Sequence, residues 1–165
     1  MQLQYIKTLV PDLKHSQDFI LNRWMQQFAV VQFLQKYKID SSYFIDNYAV
    51  EMIANGIILL ESSLQEGEFT GTKRLLHDYK EYEITAYDIF EIFKAMKNVI
   101  LTIIEEGDIL STNCLFNKDK IIIDLNNYFE EVTESLLHYY AHDYYHHDKS
   151  QLNQKLVPKN IYQIA

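Results

Sequence analysis

The residues of this 165-residue chain whose types and spacing could do chemistry are mainly its histidines. His138 and His142 lie four residues apart, so on a helix both imidazoles would face the same way and could chelate a divalent transition metal. His146 continues the spacing, but a third imidazole one turn further along would reach the same ion only if the helix bent. The spacing therefore predicts a weak surface metal site at His138 and His142. The alternative interpretation is a solvated flank rich in tyrosine and histidine.

His77 is the second histidine of interest, because it lies in a short helical segment eight residues before Thr85, where a long helix should begin. A histidine on a short helix ahead of a long core helix resembles the proximal side of the globin superfamily, and this resemblance implies His77 as the axial ligand of a haem. The opposite face has no matching histidine, since none occurs between His15 and His77, and Tyr48 or Tyr43 would have to substitute. We therefore predict no bound cofactor, with a haem-binding globin sensor as the alternative.

A small pocket for an apolar ligand is predicted near Gly56. Glycine inside a helix costs stability relative to alanine, so its presence suggests close packing against another backbone or against a ligand. Bulky phenylalanine and methionine side chains in this region should fill most of the space at normal packing density. The residues expected around the pocket are Tyr48, Met52, Gly56, Phe90 and Phe93.

No catalytic pattern is present in the sequence. Neighbouring carboxylates, such as Glu105 with Glu106, diverge on a helix instead of converging on a substrate. The chain has no glycine-rich phosphate loop, nucleophile elbow or His-Glu-x-x-His motif. Cys114 has no basic neighbour to lower its pKa, which favours a packed thiol over a nucleophile. We therefore predict that the protein is not an enzyme and has no catalytic residues.

The elements that must position these residues are predicted to be helices, because four Gly and two Pro are too few for the many turns of a β-rich chain. Apolar residues recur with a period of 3.6 in four long helices, at about 11–37, 42–66, 85–106 and 120–147, with a short helix at 72–79. Asp40 and Thr85 are suitable N-caps, and Gly107 is a stop signal. The stripe over 89–104 should be the most buried face, with four residues packed on it: Trp24, Phe28, Met52 and Leu59.

Composition limits the partners. A formal net charge of −8 disfavours binding to nucleic acid and to anionic lipid, both of which need a basic surface. The longest aliphatic run, Ile57–Leu60, is far too short to span a bilayer, and the N-terminus lacks the apolar core of a signal peptide. We therefore expect a soluble cytoplasmic protein, with one domain over residues 1–149 and a C-terminal tail or linker over 150–165.

The chain as a whole is similar to the N-terminal sensor domains of RsbR-type stress regulators and related bacterial signalling proteins. The similarity rests on three segments, Ile20–Met25, Tyr82–Phe90 and Phe93–Leu101, within roughly residues 15–147. Those domains are non-haem relatives of the globins and globin sensors. The resemblance implies a globin-like helical bundle and a non-enzymatic role in signal transduction, as a homodimer that acts on a downstream signalling protein.

Self-association is also predicted from the residues themselves. The first and last long helices have more large apolar groups than one core-facing stripe needs, so the remainder should be exposed or buried in a partner. A two-fold interface is the commonest arrangement for such groups. The residues expected there are Phe19, Val30 and Phe33 on the first helix, and Leu137, Tyr140 and Tyr144 on the last.

Overall fold

The computed structural model describes residues 4–61, 69–107 and 110–144. Every regular element in these ranges is helical and none is a strand, so the prediction of an all-α chain is confirmed. In chain order the helices are α1 (Val10–His15), α2 (Gln17–Met25), α3 (Phe28–Lys36), α4 (Ser41–Phe44), α5 (Val50–Glu61), α6 (Thr70–Asp78), α7 (Ala86–Glu106), α8 (Thr112–Phe116) and α9 (Lys118–His138). The arrangement as a globin-like bundle stays a prediction.

The first predicted helix, at 11–37, is wrong as one continuous element, because the chain forms α1, α2 and α3 in its place. The break between α2 and α3 is at Gln27, whose backbone is extended (φ −68°, ψ 139°). Both helices pack against α7. Trp24, at the end of α2, is fully buried and donates its indole N–H to the carbonyl of Ile92 at 2.8 Å. We attribute the break to this packing, because α2 and α3 each contact α7 and the anchored Trp24 comes shortly before the extended Gln27.

The second predicted helix contains a widened turn. Asp40 caps α4 as predicted, with its carboxylate accepting the Tyr43 N–H at 3.0 Å. The π-helical turn Ile45–Ala49 then joins α4 to α5, which is described as far as Glu61. A π-turn has hydrogen bonds to the fifth residue along and holds one residue more than an α-turn, and such turns often occur at functional sites.

Helix α7 confirms the strongest of the sequence predictions. Thr85 is its N-cap and accepts the Asp88 N–H at 3.1 Å, while Gly107 ends the helix with a left-handed backbone (φ 74°). The whole predicted apolar stripe of this helix is buried: Ile89, Ile92, Phe93, Met96, Val99, Ile100, Ile103 and Ile104. Trp24, Met52 and Leu59 are buried as predicted, but Phe28 is 76% exposed, and its placement in the core was wrong.

Asp124 of α9 holds the N-terminal segment in place. Its carboxylate is buried and accepts the backbone N–H groups of Tyr5 and Ile6, at 2.7 and 3.0 Å. These two donors belong to the first turn of the 3-10 segment Ile6–Leu9 and have no partner inside it. A side chain 118 residues away in the sequence therefore caps the first helical turn that the structure describes.

The chain divides into two compact units, Met1–Glu131 and Val132–Ala165. The first contains α1 to α8 and most of α9, and the second contains the end of α9 and the π-helical turn Tyr139–Tyr144. The expected boundary at residue 149 and the tail at 150–165 lie outside the described residues, as do residues 145–147 of the last predicted helix. None of the described helices combines the length and the apolar character needed to cross a membrane.

Candidate ligand groove and neighbouring clusters

A groove of about 710 Å³ lies on the first unit, where the ends of α2 and α3 meet the start of α4 and the π-helical turn. We call it the α3–α4 groove. Its lining is mostly apolar, with polar groups where the chain leaves α3. The lining residues are Met25, Val31, Leu34, Gln35, Lys38, Ile39, Asp40, Ser41 and Ile45.

The turn that follows α3 shapes the groove. Lys38 has a left-handed backbone (φ 54°), and the Ile39 N–H bonds back to the Leu34 carbonyl at 2.9 Å. This pattern closes a helix C-terminus and folds the following apolar residue back onto the last turn, so Leu34 and Ile39 are both buried. Glycine usually occupies a position with this left-handed backbone. Because residue 38 is a lysine, the sequence did not predict the turn.

The two lysines at this end of α3 have different surroundings. Lys36 is bonded to Asp88 with an Nζ–Oδ2 distance of 2.7 Å, and Tyr37 donates its hydroxyl to the same carboxylate. Burial would raise the pKa of Asp88, but the hydrogen bonds from Lys36 and Tyr37 outweigh it and hold the pKa below its ordinary value. Among the described residues, Lys38 forms no ion pair, and it lies exposed at the edge of the groove.

A second cluster surrounds the other end of the π-helical turn. Arg74 of α6 forms an ion pair with Glu51 at 2.6 Å, donates to the Asn47 carbonyl and lies 5.5 Å from the centre of the Tyr48 ring. Asp78, one turn further along α6, accepts the Tyr48 hydroxyl at 2.6 Å. Burial, followed by this hydrogen bond, raises the pKa of Tyr48 far above its ordinary value.

The five residues predicted around a ligand pocket do not line the groove. Tyr48, Met52 and Phe93 are buried, whereas Gly56 and Phe90 are partly exposed. Tyr48 is occupied by its bond to Asp78, and Phe93 packs edge-on against Phe69 with ring centres 6.5 Å apart. These side chains contribute to the packing of the first unit.

The glycine that permits a close helix approach is Gly71, not Gly56. A β-carbon at Gly71 would lie 3.2 Å from the backbone nitrogen of Met52 and 3.0 Å from its γ-carbon. Among the described residues, a β-carbon at Gly56 would meet only the Tyr128 hydroxyl, at 3.9 Å, which is an ordinary contact. The inference of close packing at Gly56 was therefore wrong, and α5 approaches α6 closely at Gly71.

His77 lies exposed on α6. An axial haem ligand must point into an apolar cavity, so this position gives the haem alternative no support. Tyr48, which was expected to substitute for a distal histidine, donates its hydroxyl to Asp78, the residue that follows His77.

His138 and His142 are both exposed and are close together, with ring centres 4.4 Å apart and a 39° angle between the rings. Within residues 4–61, 69–107 and 110–144, no group of three or more histidine, cysteine or acidic side chains is arranged to hold a metal ion. Of the predicted metal ligands, the structure brings together these two imidazoles. His146 lies outside the described residues.

The residues predicted for a dimer interface fall into two groups. Val30 and Phe33 are buried within the chain, where α3 packs on α7, so their assignment to an interface was wrong. Phe19 is 39% exposed, Leu137 is 49% exposed and Tyr140 is partly exposed, whereas the side chain of Tyr144 lies outside the described part of the chain. The exposed large apolar residues of α3 are Phe28, at its N-terminus, and Val31.

Cys114 is buried and packs as a structural thiol. Its sulfur lies 3.2 Å from the Thr8 carbonyl, to which it donates, and burial raises the pKa of the thiol. A raised pKa reduces the thiolate fraction at neutral pH and with it the reactivity of the sulfur.

Three features in the described part of the chain could bind a ligand or a partner: the α3–α4 groove, the cluster around Arg74 and the histidine pair. Comparisons with protein-family models, curated proteins and solved structures gave no match to this chain.

Proposed function

We propose that this protein is a non-enzymatic regulatory domain that senses a small apolar acid bound in the α3–α4 groove. The observation that supports this most is the groove itself. Its volume of about 710 Å³ falls within the range of roughly 300–1,000 Å³ that is typical of small-molecule sites. Its lining is apolar with a few polar groups at the edge, which is the usual composition of such a site.

The groups at the edge of the groove favour a ligand with a negative head group. Asp40 already accepts the Tyr43 N–H as a helix cap, so its carboxylate is engaged within the chain. Lys38 forms no ion pair with any other described residue, so its ammonium group can pair with a carboxylate of the ligand. The apolar body of the ligand would then cover Val31, Leu34 and Ile45. An aliphatic carboxylate such as decanoate has this combination of groups.

The test is a titration of the whole chain with decanoate, followed by methyl NMR. We expect saturable shifts at Val31, Leu34, Ile39 and Ile45, and weaker binding of 1-decanol, which lacks the charge. Val31→Glu introduces an anion at the groove and should abolish binding. The matched control is Ile58→Glu, at another exposed aliphatic position outside the groove, which should bind as the wild type does.

Failure of both decanoate and 1-decanol to shift the groove methyls would remove the proposal. Equal affinity for the acid and the alcohol would contradict the role given to Lys38. Lys38→Gln tests the same point, since it should weaken decanoate binding and leave 1-decanol binding unchanged.

Homodimerisation is part of the proposal, as the means by which a sensory domain would pass its signal to a downstream protein. Its support is the exposed aromatic ring of Phe28, which a two-fold partner would cover. We expect a dimer in light scattering and a monomer after Phe28→Glu, with Tyr87→Glu, at an aromatic residue of comparable exposure, as the control. A wild-type monomer at high micromolar concentration would remove the dimer from the proposal.

The histidine pair supports a second candidate function, a metal-binding helical protein. Two imidazoles at i and i+4 of a helix, with ring centres 4.4 Å apart, are close enough to bind one ion. Imidazole nitrogen binds Ni²⁺, Cu²⁺ and Zn²⁺ alike, and Ni²⁺ serves as the probe. Calorimetric titration with Ni²⁺ should give one site that His142→Ala removes and His15→Ala leaves intact. Binding that is unaffected by His142→Ala would reject this candidate.

A further inference from the structure

The π-helical turn Ile45–Ala49 connects the α3–α4 groove to α6. Its first residue, Ile45, lines the groove, as does Ser41 in the preceding turn of α4. Asn47 and Tyr48, further along the same turn, contact α6. One short segment therefore has the groove at one end and α6 at the other.

The turn receives external support from Arg74. A π-turn is less stable than an α-turn and persists where its surroundings favour it. Arg74 donates to the Asn47 carbonyl, which is inside the turn, and forms an ion pair with Glu51, in the first turn of α5. The same guanidinium lies against the Tyr48 ring, so one side chain contacts the turn and the helix that follows it.

Asp78 adds a second contact four residues further along α6. Its carboxylate accepts the hydroxyl of Tyr48, whose side chain is buried. Arg74 and Asp78 therefore lie on one face of α6 and hold consecutive residues of the π-turn. We call these two residues the α6 clamp.

The position of α6 on α5 is itself fixed independently of the clamp. Thr70 donates to Asn55 at 2.8 Å, and Gly71 allows the two backbones to approach closely. Loss of the clamp should therefore free the π-turn without detaching α6.

We propose that the α6 clamp keeps residues 45–49 in the π register, and that its release lets the turn rewind to an α-turn and reshapes the α3–α4 groove. When a turn that holds one extra residue rewinds to an α-turn, the preceding helix rotates by about 100° relative to the following helix. Ser41 and Ile45 would then turn away from the groove. The inference that this controls ligand binding rests on the proposed function of the groove, whereas the existence of the clamp does not.

Coupling between the two ends must be reciprocal. A ligand that needs Ile45 in the groove binds the clamped state better, so it also stabilises the clamp. Conversely, a partner that engages Arg74 or Asp78 would lower the affinity of the groove for its ligand. Ligand binding in the groove would thus change the α6 clamp, where a partner protein could detect it.

The experiment measures amide hydrogen exchange of the whole chain by mass spectrometry, in the wild type and in Arg74→Gln. We expect the peptide covering residues 45–53 to exchange roughly tenfold faster in Arg74→Gln, the effect of losing a charge-assisted hydrogen bond with partial exposure. The control is Arg23→Gln, at the other arginine of the chain, which pairs with Glu106 and contacts Phe19. It should leave that peptide unchanged.

Tyr48→Phe is the second variant, because it removes only the hydroxyl that donates to Asp78 and keeps the buried ring. It should also accelerate exchange over residues 45–53. Exchange within twofold of the wild type in both variants would overturn the clamp.

Decanoate binding is then measured separately in the same proteins. A loss of about tenfold in affinity in Arg74→Gln, with no loss in Arg23→Gln, is the expected result. Faster exchange with unchanged decanoate affinity would overturn the coupling to the groove. Faster exchange in a protein whose wild type does not bind decanoate would retain the clamp and overturn both the proposed function and the coupling.

Discussion

Replacing each of two helical glycines by alanine should change stability in opposite directions. The substitutions are Gly71→Ala in α6 and Gly56→Ala in α5. Alanine is the better helix former by about 0.8–1 kcal/mol in a helix interior, so propensity alone would favour both changes. The surroundings of the added methyl group decide between them.

At Gly71 the methyl group has no room. It would lie 3.2 Å from a backbone nitrogen and 3.0 Å from a side-chain carbon, both of Met52, and the nitrogen cannot move without shifting α5. Overpacking of this kind costs about 1–3 kcal/mol. Gly71 is also the second residue of α6, where the propensity gain is smaller than in the interior. We expect a net loss of about 1–2 kcal/mol.

At Gly56 the methyl group has space, because its nearest neighbour in the described part of the chain is the Tyr128 hydroxyl at 3.9 Å. The hydrogen bond from that hydroxyl to the Gly56 carbonyl, at 2.9 Å, does not involve the substituted atom. We expect Gly56→Ala to gain about 0.5–1 kcal/mol.

The measurement is urea denaturation of both variants and of the wild type, with equal m-values as the check that the unfolding transition is unchanged. A Gly71→Ala protein as stable as the wild type would show that α5 and α6 are further apart than described. A Gly56→Ala protein that loses more than about 1 kcal/mol would restore the view that this glycine is closely packed.

Three further predictions concern single residues. Asp124→Ala leaves two backbone N–H groups near the N-terminus without the carboxylate that accepts from them, and it should lower the free energy of unfolding by about 3 kcal/mol. The control, Asp119→Ala, at an exposed position of the same helix, should cost under about 0.5 kcal/mol. Equal losses in the two variants would contradict the capping role of Asp124. Phe93→Ala should cost about 3–5 kcal/mol, and a loss below about 1 kcal/mol would mean that the ring is exposed. The pKa of Asp88 is lowered in the folded chain, so the ionised carboxylate stabilises the folded state. This contribution to stability is fully present above the unfolded pKa of about 3.9 and is lost as the pH falls through the lower folded pKa. The stability difference between wild type and Asp88→Asn should therefore be largest near pH 7 and shrink below about pH 3, and a constant difference would refute the interaction with Lys36 and Tyr37.

The features that could be predicted from the sequence are those with local causes. The limits and the buried face of α7 follow from Thr85, Gly107 and the spacing of its apolar residues, all within one segment. The cap at Asp40 is equally local. Helical class followed from the scarcity of glycine and proline.

The features that were missed depend on distant residues. The break at Gln27 has no glycine or proline beside it, and its cause is the packing of α2 and α3 on α7. Gly56 and Gly71 are both helical glycines, and the distance of each to its neighbours depends on how α5 and α6 cross. The α3–α4 groove is lined by side chains of several helices and by Lys38, which has a left-handed backbone. No local sequence motif predicts this combination.

The most direct test of the account is a set of intermolecular nuclear Overhauser effects between bound decanoate and the methyl groups of the protein. If decanoate binds in the α3–α4 groove, its alkyl chain should show contacts to Leu34, Ile39 and Ile45, which line the groove. Contacts to Met52 or to methyl groups packed around Phe93 would place the ligand in the core region first suggested by the sequence. That result, or the absence of any contact at saturating decanoate, would contradict the claim that the groove is the sensing site.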